Sequence, residues 1–238
     1  MRTLSIVIPC YNERATVRTL LERVLAAKFP EGWEREVIVV DDASTDGTRE
    51  LLEDIDLPVR VILRSENGGK GTALVDGFKE AKGTHILIQD ADLEYDPDDI
   101  GTLLAAVDDS PITVVYGSRN LHPGPRKGSF TLRAGVWFLT KLVNVLYRVQ
   151  LTDVNTCYKL FPREAASLFR RGGFEADILF DPALIRAGYR IKEVPISYSA
   201  RTVAEGKKIK YRDGVHAAFA LLADYLRNGR SGIMKTED

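Results

Sequence analysis

The 238-residue chain has only two cysteines, Cys10 and Cys157, and three scattered histidines. Two thiols exclude a disulfide framework. With His85, His122 and His216 dispersed, they do not make a structural zinc site either. An excess of charge of one sign is also missing. Lys and Arg number 33 against 34 Asp and Glu, a net charge of −1 that argues against a general nucleic-acid binder. No apolar run approaches the roughly 20 residues that a bilayer crossing needs. The start, Met1 to Ser5, runs into a strand without an apolar signal segment. The expectation is a cytoplasmic protein. Two glycine signatures for phosphates are absent as well. The first strand ends in Pro9-Cys10-Tyr11-Asn12-Glu13 rather than in G-x-G-x-x-G. Gly68-Gly69-Lys70-Gly71-Thr72 does not match G-x-x-x-x-G-K-[ST].

What is present is an ordinary globular composition, 45% hydrophobic and 28% charged, with a regular alternation of elements. Short apolar runs at Leu4 to Ile8, Val37 to Val40, Val59 to Leu63, Ile86 to Ile88 and Ile112 to Tyr116 read as buried strands. The first is expected to stop at Pro9, where a central ladder would lose a donor. Between the strands, Thr16 to Leu25, Thr48 to Asp54, Thr72 to Ala81 and Asp98 to Val107 carry apolar residues at helical spacing. After Arg119 the pattern changes. Leu121 to Ser129 is a Pro- and Gly-rich loop. Helices follow at Leu132 to Val149, Ala165 to Phe169, Asp177 to Ala187 (stopped by Gly188) and Asp213 to Arg227. Strands are expected ahead of Phe161 and at Ile191 to Tyr198, with a basic loop from Ala200 to Lys210. This alternation predicts a mostly parallel α/β sheet flanked by helices. One domain is expected over residues 1–230, divided into halves at 1–119 and 120–230, with a flexible tail at 231–238.

Ligands of such sheets sit beyond the carboxyl ends of the strands. Those ends are all polar here: Pro9 to Glu13, Asp41-Asp42, the Asn67 loop, Asp90-Ala91-Asp92-Leu93-Glu94 and Gly117-Ser118-Arg119. Asp90, Asp92 and Glu94 alternate, and in an extended chain alternate residues share a side. Three carboxylates on one side suit Mg²⁺ or Mn²⁺, although a solvated acidic turn is the plainer reading. An EF-hand is excluded, because its Gly and Glu positions counted from Asp90 fall on Tyr95 and Gly101. Acidic residues at the second strand end can hydrogen-bond a ribose or base edge, and Lys70 can reach a phosphate as a point charge. The implied ligand is a nucleoside diphosphate compound bridged by a divalent cation.

These motifs resemble family 2 glycosyltransferases of the GT-A fold. The carriers are Pro9 to Glu13, Val39 to Gly47, Asn67 to Gly71 and Asp90 to Glu94. More narrowly they resemble the dolichyl- or polyprenyl-phosphate mannose and glucose synthases. Gly117-Ser118-Arg119, Arg133, Thr156 to Lys159, Glu193 to Ile196, and Arg201 with Glu205 to Ile209 extend the match, which covers about Ser5 to Gly214. The resemblance implies a Rossmann-like sheet with a metal site at its strand ends. It further implies inverting transfer of mannose or glucose from a GDP-mannose or UDP-glucose type donor to a polyprenyl phosphate. The donor set would be Pro9, Tyr11, Asn12, Glu13, Asp42, Lys70, Asp90, Ala91 and Lys207. The metal set would be Asp90, Asp92 and Glu94, and the catalytic set Asp92, Arg119, Arg133 and Arg201. A saccharide or other soluble acceptor is one alternative. A non-catalytic nucleotide-sugar-binding module is the other, against which the carboxylate trio and the basic loop speak. The Q-x-x-R-W signature of processive synthases is absent.

Other residues carry plainer readings. Asp46 caps a helix, Cys157 is a small buried residue, and Glu175 and Asp177 shape the substrate pocket. The stripe from Trp137 to Tyr147, near Arg126, Lys127, Arg133 and Lys141, reads either as core or as a peripheral membrane contact.

Overall fold

The computed structural model describes residues 1–123, 130–173, 175–201 and 211–229. Seven strands form one sheet in the order β3-β2-β1-β4-β6-β5-β7. They are β1 (Arg2–Cys10), β2 (Trp33–Asp41), β3 (Arg60–Leu63), β4 (His85–Ile88), β5 (Thr113–Ser118), β6 (Lys159–Pro162) and β7 (Arg190–Pro195). All pairings are parallel except the two made by β6, which runs antiparallel between β4 and β5. The expected mostly parallel sheet is therefore what forms. The helices are α1 (Val17–Ala26), α2 (Thr48–Glu53), α3 (Lys70–Glu80), α4 (Ile100–Ala105), α5 (Phe130–Tyr147), α6 (Glu175–Arg186) and α7 (Tyr211–Asn228).

Several bounds shift by a few residues from the expectation, β2 starting at Trp33, β7 ending at Pro195 and α3 starting at Lys70 among them, and two further differences stand out. Strand β1 does not stop at Pro9 but runs through it to Cys10, paired with β2. Its ladder with β4 ends at the Val7–Ile88 pair, where Gln89 donates to the Val7 carbonyl. Pro9 faces that vacated side, so its missing N–H removes no ladder bond. The expected helix at Ala165 to Phe169 is a 3₁₀ segment, Arg163–Leu168. Gly188 does end α6, with φ +85°, while Tyr189 N–H bonds back to the Leu184 carbonyl. The expected segments at 124–129, 202–210 and 230–238 lie outside the described residues.

The core follows the strands. Leu4, Ile6, Val7, Ile8, Ile38, Val39, Val40, Ile86, Leu87 and Ile88 are fully buried. A second, smaller cluster joins α5, α6 and α7 through Leu139, Val143, Tyr147, Ile178, Ala217 and Leu221. Helix α3 lies across β1 and β2, and Gly77 is what allows the approach. A Cβ there would sit 2.4 Å from Val7 Cγ1 and 3.0 Å from Val40 Cγ2. Alanine is the better helix former by about 1 kcal/mol, but the clash is with stiff β-branched core residues, so overpacking decides the sign. Gly77→Ala should destabilise by about 1–3 kcal/mol, measured as a lower urea midpoint at unchanged slope. A midpoint at or above wild type would show that α3 can shift without cost.

Candidate active site

The carboxyl ends of β1, β2 and β4 meet on one rim, tied together by their own polar side chains. Asn12, at φ +52°, donates its N–H to Ser44 Oγ (2.9 Å), and its Oδ1 accepts from Thr45 N (2.8 Å). Glu13 N–H donates to Thr48 Oγ1 (3.0 Å). Asp46 accepts from Thr48 N (3.0 Å) and Arg14 N (3.2 Å), so it fixes the first turn of α2 as its sequence context implied. Pro9 is half-buried, Ala91 is buried, and Tyr11 is 38% exposed at the rim.

Asp42 is turned inward. It is 2% exposed and accepts from Gly68 N (3.0 Å), Gly69 N (2.8 Å) and the Arg64 guanidinium. The residue expected to hold a base or ribose thus also fastens the glycine loop leading into α3. Lys70, the first residue of α3, lies between two carboxylates, 2.8 Å from Asp90 Oδ1 and 3.1 Å from Asp177 Oδ2. Burial disfavours its charge, but those partners hold its pKa well above the ordinary lysine range.

Asp90, Asp92 and Glu94 do not share one extended face. Beyond Gln89 the chain leaves the sheet into a turn in which Leu93 takes φ +60°, and alternation fails once the backbone is not extended. Asp92 Oδ2 is 3.3 Å from Arg201 Nη2. Glu94 is engaged by the segment after β7. Its oxygens accept from Tyr198 OH (2.5 Å) and Arg201 N–H (2.7 Å), and its carbonyl accepts from Ser199 N (2.9 Å). Glu94 therefore fastens the segment after β7, which corrects its expected place beside the other two carboxylates. Among the described residues no three His, Cys, Asp or Glu side chains form an all-protein metal cage. Asp90 and Asp92, each 24% exposed, remain partly open. Two open carboxylates fit Mg²⁺ or Mn²⁺, since Mg²⁺ typically takes one or two carboxylates, keeps waters and accepts substrate phosphate oxygens.

The four arginine and lysine candidates fall in different places. Arg201 Nη2 bonds both oxygens of Glu13 (3.0 and 2.9 Å) while reaching Asp92. Glu13 is consequently 8% exposed and anchors the arginine. Arg119 is held on buried Asp153 through Nε and Nη2, both at 2.7 Å, with Nη2 also on the Asn155 carbonyl. Its guanidinium stacks 4.9 Å from the Tyr198 ring. Arg133 stands exposed on α5. Lys207 lies outside the described residues.

Sequence reasoning missed two partners. Asp153 fixes Arg119 and is itself fixed, because its N–H and that of Thr152 donate to Glu193. Lys159 is fully buried in β6 and donates to Asp181 Oδ1 (2.8 Å) and to the Asp177 carbonyl (2.7 Å). A lysine inside the apolar run Tyr158-Lys159-Leu160-Phe161 was the available signal, since Lys is almost never fully buried without a partner.

The sheet, with one antiparallel strand inserted before a polar rim, is the GT-A fold. Of solved structures, glucosyl-3-phosphoglycerate synthase from Mycobacterium tuberculosis, in complex with Mn²⁺, UDP and phosphoglyceric acid, superposes with a TM-score of 0.70. The match is at 22% identity over 99% of this chain and 80% of that one. Glycosyl transferase family 2 matches residues 5–169. The chain belongs to that family. An undecaprenyl-phosphate mannosyltransferase of Micrococcus luteus is 33% identical, over 87% of each chain. A dodecaprenyl-phosphate galacturonate synthase of Rhizobium johnstonii is 29% identical over 94% of this chain. The chain spans 65% of that relative's length.

Burial pushes the Asp181 carboxyl up from 3.8 to about 6, against the pull of Lys159. A raised folded-state pKa means that the folded protein holds this proton more tightly than the unfolded chain. Its contribution to stability is full below about pH 4 and is lost as pH rises through about 6. Two pKa units correspond to about 3 kcal/mol. Asp181→Asn removes the titration, so its unfolding free energy relative to wild type should rise by up to about 3 kcal/mol between about pH 4 and pH 7. Urea denaturation at the two pH values checks this, and a constant difference would refute it.

Proposed function

We propose that this glycosyltransferase moves a hexose, with inversion, from a nucleotide sugar of the GDP-mannose or UDP-glucose type to a polyprenyl phosphate. The observation that carries the reading is the pair Asp90 and Asp92, open at the strand ends and flanked by Lys70 and Arg201. Such a set of alternating charges suits a diphosphate and its cation. The sequence likeness to enzymes named for undecaprenyl and dodecaprenyl phosphate supports the acceptor class.

Asp90 and Asp92 would hold a divalent cation, which would supply charge stabilisation to the departing nucleoside diphosphate. Tyr11 at the exposed rim is assigned to the donor's base and ribose. The acceptor phosphate attacks the anomeric carbon, and it needs no strong base because a phosphomonoester's second pKa is about 6. Arg201, already beside Asp92, is assigned to meet a phosphate there, with Arg133 on the acceptor side. Arg119, with Nε and Nη2 on Asp153 and its guanidinium against Tyr198, is assigned to support the segment after β7.

A polyprenyl acceptor lies in a bilayer, and one surface suits that source. Helices α5 and α7 expose Trp137, Phe138, Val145, Phe219 and Leu226, with Arg133 and Lys141 also exposed on α5. An apolar face with flanking cations suits an anionic membrane surface. Among the described residues no helix is long and apolar enough to cross a membrane.

The direct test screens GDP-mannose, UDP-glucose and related donors with Mg²⁺ or Mn²⁺, against polyprenyl phosphate and against free sugars. Transfer to the lipid phosphate is expected, and preference for a neutral sugar would overturn the acceptor assignment. Asp92→Ala should cut transfer by about 100-fold or more while the melting temperature stays near wild type. Undiminished turnover would remove the carboxylate pair from the chemistry. The protein should also sediment with anionic liposomes at low salt and release at high salt. Failure to sediment even with polyprenyl phosphate present would exclude the membrane surface.

A further inference from the structure

Behind the rim, charges alternate in a line that runs into the protein: Asp90, Lys70, Asp177, Lys159, Asp181. Lys70 Nζ spans Asp90 Oδ1 at 2.8 Å and Asp177 Oδ2 at 3.1 Å. Asp177 Oδ1 lies 3.1 Å from Lys159 Nζ. Lys159 in turn reaches Asp181 Oδ1 at 2.8 Å, which also accepts from Tyr116 OH at 2.6 Å. Lys159, Asp181 and Tyr116 are fully buried, and Asp177 is 6% exposed. Taking such charges out of water costs several kcal/mol per ion, and apolar residues of similar volume often serve stability as well or better. The line therefore needs a reason other than stability.

A second feature fixes the same distance. The start of α3 is interlocked with the start of α6. Thr72 N donates to the Gly172 carbonyl at 3.1 Å, and Gly172 N donates to Thr72 Oγ1 at 3.3 Å. Gly71 leaves no room between them, since a Cβ there would lie 2.5 Å from Ala176 Cβ. The backbones that carry Lys70 and Asp177 thus cannot drift apart.

Asp90 is the partner that Lys70 stands to lose. A divalent cation on Asp90 would repel the ammonium, and a lysine with no second anchor would then regain the rotamer freedom of a long side chain. We propose that Asp177, braced from behind by Lys159, is a positioning residue. It keeps Lys70 at the mouth of the site, facing the donor's diphosphate, when Asp90 turns to the cation. This rests on the nucleotide-sugar reading above. It also sets Asp177 apart from a general base, because each of its oxygens lies 3.1 Å from a lysine ammonium.

The test is calorimetric binding rather than turnover. GDP and UDP, each with Mn²⁺, are titrated into wild type, Asp177→Asn, Lys70→Met and the double variant, alongside GMP and UMP. Asp177→Asn is expected to lose about 10-fold in affinity for the bound diphosphate, the scale of one charge-assisted hydrogen bond, and less than about 2-fold for the monophosphate. A purely structural defect would lower both alike. Lys70→Met should lose a similar amount, and the double variant should lose no more than either single change. Unchanged diphosphate affinity in Asp177→Asn, or losses that add in the double variant, would overturn the role of Asp177 while leaving the nucleotide site standing. A wild type that binds neither diphosphate would overturn both. If Asp177→Asn does not fold, the comparison is read on Asp177→Asn/Lys159→Met, which leaves no buried lysine short of a partner.

Discussion

Like-charge repulsion at one end of the sheet is the constraint on which this structure depends. Glu13, Asp90, Asp92, Glu94, Asp153 and Asp177 are gathered around a rim a few residues deep. At short range and low dielectric such a cluster is strongly unfavourable unless each member is met. Each is: Arg201 takes Glu13 and Asp92, Lys70 takes Asp90 and Asp177, Arg119 takes Asp153, and Glu94 is spent on Tyr198 and a backbone N–H. The cations come from distant stretches of chain, so the neutralisation also ties the second half of the molecule to the first.

Under the proposed function, the same arrangement would suit an anionic ligand. Carboxylates that are buried and saturated, such as Asp42 and Glu94, act as rigid fasteners, because breaking their bonds would strand a charge. Carboxylates that remain partly open, Asp90 and Asp92, carry one cation each. Under the proposed function, a divalent cation would take over the two carboxylates and leave those side chains to meet the diphosphate. Rim residues thus divide by solvent access into those that hold the frame and those that can meet ligand.

Much of the fold was legible because its signals are local. Apolar runs ending in polar residues marked β1, β2 and β4, and helical spacing marked α1 and α5. Pro9 misled, because a proline within a strand is judged by whether the neighbouring strand continues beside it, and that depends on where β4 ends. The antiparallel insertion of β6 left no local mark, since strand direction is settled by the path of the connecting chain.

The sequence alone determined which residue types stand at the strand ends, and so the kind of chemistry the rim supports. Asp90, Asp92 and Lys70 were identifiable from order and spacing, and Arg201 from the family resemblance. Only the tertiary structure decided their partners. It tied Glu94 to Tyr198 and the Arg201 backbone, bonded Asp42 to the glycine loop, placed Arg119 on Asp153 and brought Lys159 behind Asp177. Residues 18 to 188 apart in the chain form these pairs. Their distances are fixed by packing between elements, a quantity that no local window of sequence contains.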